Sequence, residues 1–224
     1  MLKPRKKITK KQMKEDPLVT TYFKSIDFIK EYSQKITTGL IIGLAIIVLI
    51  VFLMRSKRNS EFSASEQLAK ANVELSQNKI QEAIDILLNM VDSYSGTKSA
   101  STGIYLLAKA YYEKGDYDKS LVHFENYLDD YGDDDILASA SYSGIGSCYE
   151  QLGKYLEAAQ NYENGAKKFP THFNAAQQLI DAGRCYSLQN QIAQAKACYK
   201  LIIEKYPDNN LKNDAELYLA KLSG

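Results

Sequence analysis

IYLLAKAYYEKGDYDKSLVHFENYLDDYG, residues 104–132, is the stretch on which the reading of the fold turns. Within it a small residue, Ala108, is followed by Tyr111, the turn residue Gly115, the small Ser120 and the aromatic Phe124, and the stretch closes on Gly132. The same order returns twice downstream. YSGIGSCYEQLGKYLEAAQNYENGAKKFP (142–170) has Gly146, Tyr149, Gly153, Ala158, Tyr162 and Pro170 in those places. LIDAGRCYSLQNQIAQAKACYKLIIEKYP (179–207) has Gly183, Tyr186, Asn190, Ala195, Tyr199 and Pro207. A more degenerate copy precedes them in Ala71, Asn78, Ala83, Leu87 and Ser95. Corresponding positions are 37, 38 and 37 residues apart.

A period of that length, with apolar residues at helical spacing on both sides of a Gly or Asn, predicts a series of two-helix hairpins. Small residues at Ala108, Gly146 and Gly183 let the helices of a hairpin approach, and Ala158 and Ala195 play the matching role on the second helix. The aromatic rings fill the space left between hairpins, each burying a large area. No hairpin buries its apolar face alone, so the units must stack into a continuous core. NDAELYLAKL (213–222) reads as a terminal helix covering the last exposed face.

These residues resemble the tetratricopeptide repeat (TPR) family, with its small-x2-Tyr, Gly-x-Tyr, Ala-x3-aromatic and Pro slots. The expected architecture is all-α: a transmembrane helix, then an α-solenoid of about four TPR-like hairpins and a capping helix. The expected divisions are a basic arm and amphipathic juxtamembrane helix (1–35), a transmembrane helix (36–54), a linker (55–61) and the repeat domain (62–224). The resemblance implies protein partners held in a groove lined by the first helix of each hairpin. That geometry selects Asn72, Tyr105, Lys109, Tyr112, Glu113, Ser147, Glu150, Arg184 and Leu188. Chaperone-tail-binding members clamp a terminal carboxylate with basic and asparagine side chains. Only Asn72 matches, and Leu68 and Leu106 occupy slots where the clamp needs polar groups.

Ahead of the repeats, ITTGLIIGLAIIVLIVFLM (36–54) carries no charge. As a helix it is about 28 Å long at about 1.5 Å per residue, close to the roughly 30 Å of hydrocarbon in a bilayer. Lys35 closes one end, and Arg55, Lys57 and Arg58 close the other. A cleaved signal peptide is the competing reading, but its apolar stretch would be shorter and followed by a small-x-small site. Ten Lys/Arg precede the segment and three closely follow it, which keeps the N-terminus in the cytoplasm and puts the repeats across the membrane. The charge split agrees: residues 1–58 carry 13 Lys/Arg against 4 Asp/Glu, and 59–224 carry 15 against 23.

The basic run KPRKKITKKQMK (3–14) lacks interleaved aromatics and a fold of its own. Attraction to anionic lipid and control of topology are therefore expected of it, and no nucleic acid partner. Asp16 and Pro17 signal a helix start. After them Leu18, Tyr22, Ile26, Ile29, Tyr32 and Ile36 form an apolar stripe. Two uses are open for it: lying on the inner leaflet, or docking on a partner's cytoplasmic face.

The chemistry of an enzyme is missing. His123 and His172 belong to no metal-spaced pair, there is no HExxH, CxxC or Gly-rich phosphate loop, and no cofactor is expected. The run Asp129-Asp130-Tyr131-Gly132-Asp133-Asp134-Asp135 lacks EF-hand spacing and reads as a connector whose last aspartates favour the next helix start. Cys148, Cys185 and Cys198 fall in helical patterns and read as core thiols. A Cys185–Cys198 bridge across one hairpin is the alternative.

Arm, stripe, uncleaved apolar helix and repeat domain together are similar to the YfgM-like family of ancillary Sec translocon subunits. The resemblance rests on KEDPLVTTYFKSIDFIKEYSQKITTGLIIGLAIIVLIVFLMRSK (14–57) and the adjoining first repeat. It implies Sec translocon subunits, a periplasmic chaperone and client polypeptides as partners, and an inner-membrane location with the repeats in the periplasm. The alternative is an envelope scaffold similar to the cell-division coordinator or outer-membrane assembly lipoproteins, whose repeats also end in KFP or KYP. A mitochondrial import receptor, with cytosolic repeats, is a third class.

Overall fold

The computed structural model describes residues 17–132 and 134–223, and the basic run 3–14 and Asp16 lie outside them. The described residues are helical and contain no strand. The helices are α1 (Pro17–Ser76), α2 (Ile80–Ser93), α3 (Lys98–Lys114), α4 (Tyr117–Asp130), α5 (Asp135–Gln151), α6 (Tyr155–Lys168), α7 (Ala175–Leu188), α8 (Ile192–Lys205) and α9 (Lys212–Lys221). The chain divides into two compact units, Met1–Lys57 and Arg58–Gly224, and α1 contributes residues to both. Residues 55–61, expected as a linker, are helical. The physical reason is local: RSKRNSE holds neither Gly nor Pro, so nothing in it breaks a helix.

In the first unit, the 36–54 segment is helical and its large apolar side chains are exposed. Before it, Leu18, Tyr22 and Ile29 of the stripe are exposed, while Ile26 and Tyr32 are half-buried. Phe23 and Phe28, outside the stripe, are exposed too. They pair with stripe residues: Tyr22 meets Phe23 at 5.7 Å and Phe28 meets Tyr32 at 4.7 Å between ring centres. The apolar face of this segment is thus wider than a three-four spacing alone indicates.

In the second unit the hairpins run α1–α2, α3–α4, α5–α6 and α7–α8, with α9 packed on α8. All four hairpin turns share one construction. Asn78, Gly115, Gly153 and Asn190 take left-handed φ of 59, 84, 73 and 57°. The next residue then donates its N–H to a carbonyl five positions back: Lys79 to Glu74, Asp116 to Tyr111, Lys154 to Tyr149 and Gln191 to Tyr186, at 2.8–2.9 Å. This is the Schellman closure, which satisfies carbonyls that a helix end leaves open.

The small-residue slots are tight in the way their chemistry requires. A methyl group added at Gly146 would stand 2.6 Å from the Tyr162 ring, and one at Gly183 would stand 2.5 Å from the Tyr199 ring. Ala83, Ser120, Ala158 and Ala195 on the second helices are fully buried. Ser120 donates its hydroxyl to the Ala108 carbonyl at 2.7 Å, so the polar atom costs the core nothing. The capping helix does as expected: Tyr218 packs on Tyr199, 5.4 Å between ring centres. Asp134 caps α5 by accepting from the N–H groups of Ile136 and Leu137 at 2.9 and 3.1 Å. Cys148, Cys185 and Cys198 are buried free thiols, so the bridge considered for the last two is not present.

One fastening was invisible in the sequence pattern. The Glu61 carboxylate, on α1, accepts from the Lys98 N–H (2.8 Å), the Ser99 N–H (3.1 Å) and the Ser99 hydroxyl (2.7 Å) at the start of α3. Burial pushes its pKa up, but these donors outweigh burial and hold it below its ordinary 4.5. Glu61→Ala is expected to cost about 1–2 kcal/mol, the scale of a lost helix cap. Because the folded pKa is depressed, the contribution is present above pH 4.5 and lost as pH falls through the folded value. Urea unfolding of wild type and variant should therefore differ at pH 7 and converge near pH 3.

Candidate protein-binding groove

The residues expected to line the groove sit on the first helix of each hairpin, and their surroundings sort them into three kinds. Asn72, Lys109, Glu113 and Leu188 are exposed. The Asn72 amide donates to its own helix at the Leu68 carbonyl, 3.0 Å away. Leu188 leaves 58% of its surface open, so its side chain is accessible on this face.

Tyr105 and Tyr112 are half-buried and belong partly to the core. Tyr105 meets Phe124 and Tyr127 edge-on, with ring centres 5.8 and 6.1 Å away. Tyr112 meets Tyr117 at 5.3 Å. Their free edges add aromatic surface to the candidate wall, and their buried edges tie successive elements together.

The third kind forms a joined polar group between α5 and α7. Arg184 on α7 donates to Glu150 on α5 at 2.7 Å and, from the same nitrogen, to Asp181 at 3.3 Å. The Cys185 thiol also donates to Glu150, at 3.1 Å. Gln177 donates its amide to the other Asp181 oxygen at 3.1 Å. Ser147 and the Tyr162 hydroxyl are hydrogen-bonded at 2.9 Å, which places the phenol beside the same group. Of the expected groove residues, the fold thus brings together Ser147, Glu150 and Arg184. It adds Gln177, Asp181 and Tyr162, which sequence spacing did not select.

The two carboxylates differ. Burial pushes Glu150 up, yet Arg184 and the Cys185 thiol together pull it below the usual carboxylate range. Burial pushes Asp181 up as well, and there Gln177 and Arg184 do not reverse it. The lengths agree: the guanidinium is closer to Glu150 than to Asp181. The Cys185 thiol is held far above its ordinary range by burial and then by Glu150, so it is a donor and not a nucleophile.

A series of stacked helix pairs closed by left-handed turn residues defines an α-solenoid repeat protein. A model of the tetratricopeptide repeat-like domain family matches residues 27–209, and the chain belongs to that family. No curated protein matches it significantly. Among solved structures it is similar to a tetratricopeptide repeat protein from Parabacteroides merdae, at 16% identity and a TM-score of 0.60. That match covers 72% of this chain, which spans 60% of the length of the other. Two structures from Podosopora anserina, of a protein described as a kinesin light chain with nearly identical TPR-like repeats, match at TM-scores of 0.56 and 0.54. They are 16 and 17% identical, and each match covers 70% of this chain and 84% of theirs. At such identities the likeness is one of fold. TPR domains bind protein partners, and a scaffold for protein–protein interaction is the general role this fold carries.

Proposed function

We propose that this protein is a non-enzymatic scaffold anchored in the inner membrane, serving as an accessory subunit of the Sec translocon. Residues 36–54 cross the bilayer once, the basic arm stays in the cytoplasm, and the repeat domain works in the periplasm beside chaperones and emerging polypeptides. The observation that carries this reading is the extent of the family match. It begins at residue 27, before the apolar segment, and runs through the repeats, so helix and repeats are matched as one pattern. The charge imbalance supports the orientation, with ten Lys/Arg before the segment and three soon after it. The exposed Leu18, Tyr22 and Ile29 support a docking role for the stripe. The mixed aromatic and charged side chains from Tyr105 to Leu188 support a groove for polypeptide.

The test is photo-cross-linking in intact membranes, with a cross-linker placed in turn at Tyr22 and at Leu188. Translocon subunits are expected from the first position, and a membrane-tethered chaperone or client chains from the second. Recovery of peptidoglycan synthases alone would favour the envelope scaffold, whose relatives share the Lys168-Phe169-Pro170 and Lys205-Tyr206-Pro207 repeat ends. A reporter fused after Gly224 that proves cytoplasmic would overturn both readings.

A further inference from the structure

The polar group between α5 and α7 is not electrically balanced. It holds two carboxylates, Glu150 and Asp181, and one guanidinium, Arg184. Arg184 is committed first to Glu150, at 2.7 Å, which also receives the Cys185 thiol. Asp181 is left with the longer, 3.3 Å share of the same nitrogen and with the neutral Gln177 amide. Its side chain keeps 23% of its surface open, so it is held but not covered. The exposed Leu188 lies about two turns further along the same helix, on the same side of it, and offers an apolar contact there.

A half-buried carboxylate whose only cation is shared has unmet capacity for a positive partner. Charge complementarity of this kind sets which partner binds more than how tightly it binds. Resting on the groove reading above, we propose that this wall of the groove selects extended polypeptide segments carrying a lysine or arginine. Asp181 receives the cation beside the Glu150–Arg184 pair, and Leu188 takes a neighbouring apolar side chain. Glu150 takes the shorter contact with Arg184, 2.7 Å against 3.3 Å to Asp181, so it acts as a positioning residue.

The experiment uses the full chain in detergent, probed on an array of randomised short peptides. Enrichment of Lys and Arg over Asp and Glu among bound peptides is the expected result. Asp181→Asn should remove the enrichment and weaken the best basic peptides about two- to fivefold, the scale of one partly exposed ion pair. Asp181→Glu should restore the preference, which a merely structural role would not predict. Bound peptides without basic enrichment, or enrichment that survives Asp181→Asn, would overturn this inference and leave the groove standing. Binding of no peptide at all would overturn the groove reading with it.

Discussion

Tyr127→Ala is expected to lower the stability of the repeat unit by about 3–5 kcal/mol, the range for truncating a buried aromatic side chain. Tyr127 is fully buried, on the second helix of the second hairpin. The cluster around it reaches beyond its own hairpin. Ile104 and Tyr105 belong to its own, and Ala138 and Phe169 belong to the next. Truncation therefore empties a space between neighbours as well as within one unit. In a solenoid, stability is a sum of unit and interface contributions, and this substitution subtracts from both. Tyr127→Phe keeps the ring and its packing, and should retain most of the stability. Urea unfolding of the full chain in detergent, followed by far-ultraviolet circular dichroism, measures the gap. A loss for Tyr127→Ala below 1 kcal/mol would contradict the packing described here.

Gln178→Glu should be as damaging at neutral pH, by a different route. Gln178 is 1% exposed. Its amide nitrogen donates to the Ser139 carbonyl and to the Ser143 hydroxyl, both at 2.8 Å. A glutamate of the same shape removes those donors and sets an anion against a carbonyl oxygen. A buried charge left without its partner costs about 3–5 kcal/mol. The surroundings cannot relax easily, since a methyl group added to Gly165 would already stand 2.7 Å from the Gln178 nitrogen. Burial raises the new carboxyl's pKa in the folded state above its unfolded value. The sign then follows: the variant is least impaired below the unfolded value of about 4.3 and loses stability as pH rises through the folded one. This is opposite in direction to Glu61, whose contribution disappears on acidification. Thermal melts of Gln178→Glu and wild type should converge from pH 7 to pH 4, and a constant gap would exclude a charged residue 178 as the cause.

These interactions show where sequence reading reached and where it stopped. The turn residues Asn78, Gly115, Gly153 and Asn190 were legible because each answers a local demand, a left-handed φ that Gly and Asn meet at least cost. Gly146 and Gly183 were legible because a ring on the facing helix leaves room for nothing larger. Neither demand needs knowledge of neighbouring hairpins. The polar ties were not legible. Glu61 meets Ser99 across 38 positions, Glu150 meets Arg184 across 34 and Gln178 meets Ser139 across 39. All are separated by about one repeat, so the period says which units touch but not which side chains face each other. The helical state of residues 55–61 was not legible from the charges that end the apolar run, yet nothing in Arg55–Glu61 stops a helix, and the division between the two units falls within it.

The hairpins, their turns, their closely packed small-residue slots and the uncharged segment before them are written in the order of the residues alone. These follow from backbone conformation and side-chain volume within about one repeat, and the same slots recur along the chain. Which polar side chains meet depends on the stacking of the folded hairpins. That stacking gave Glu61 to the start of α3, Gln178 to the seam with α5, and Arg184 to Glu150 with Asp181 only partly compensated. The reason is geometric. A hydrogen bond needs its atoms placed to within a few tenths of an ångström, and that placement is set by how one hairpin stacks on the next, which the repeat pattern leaves open.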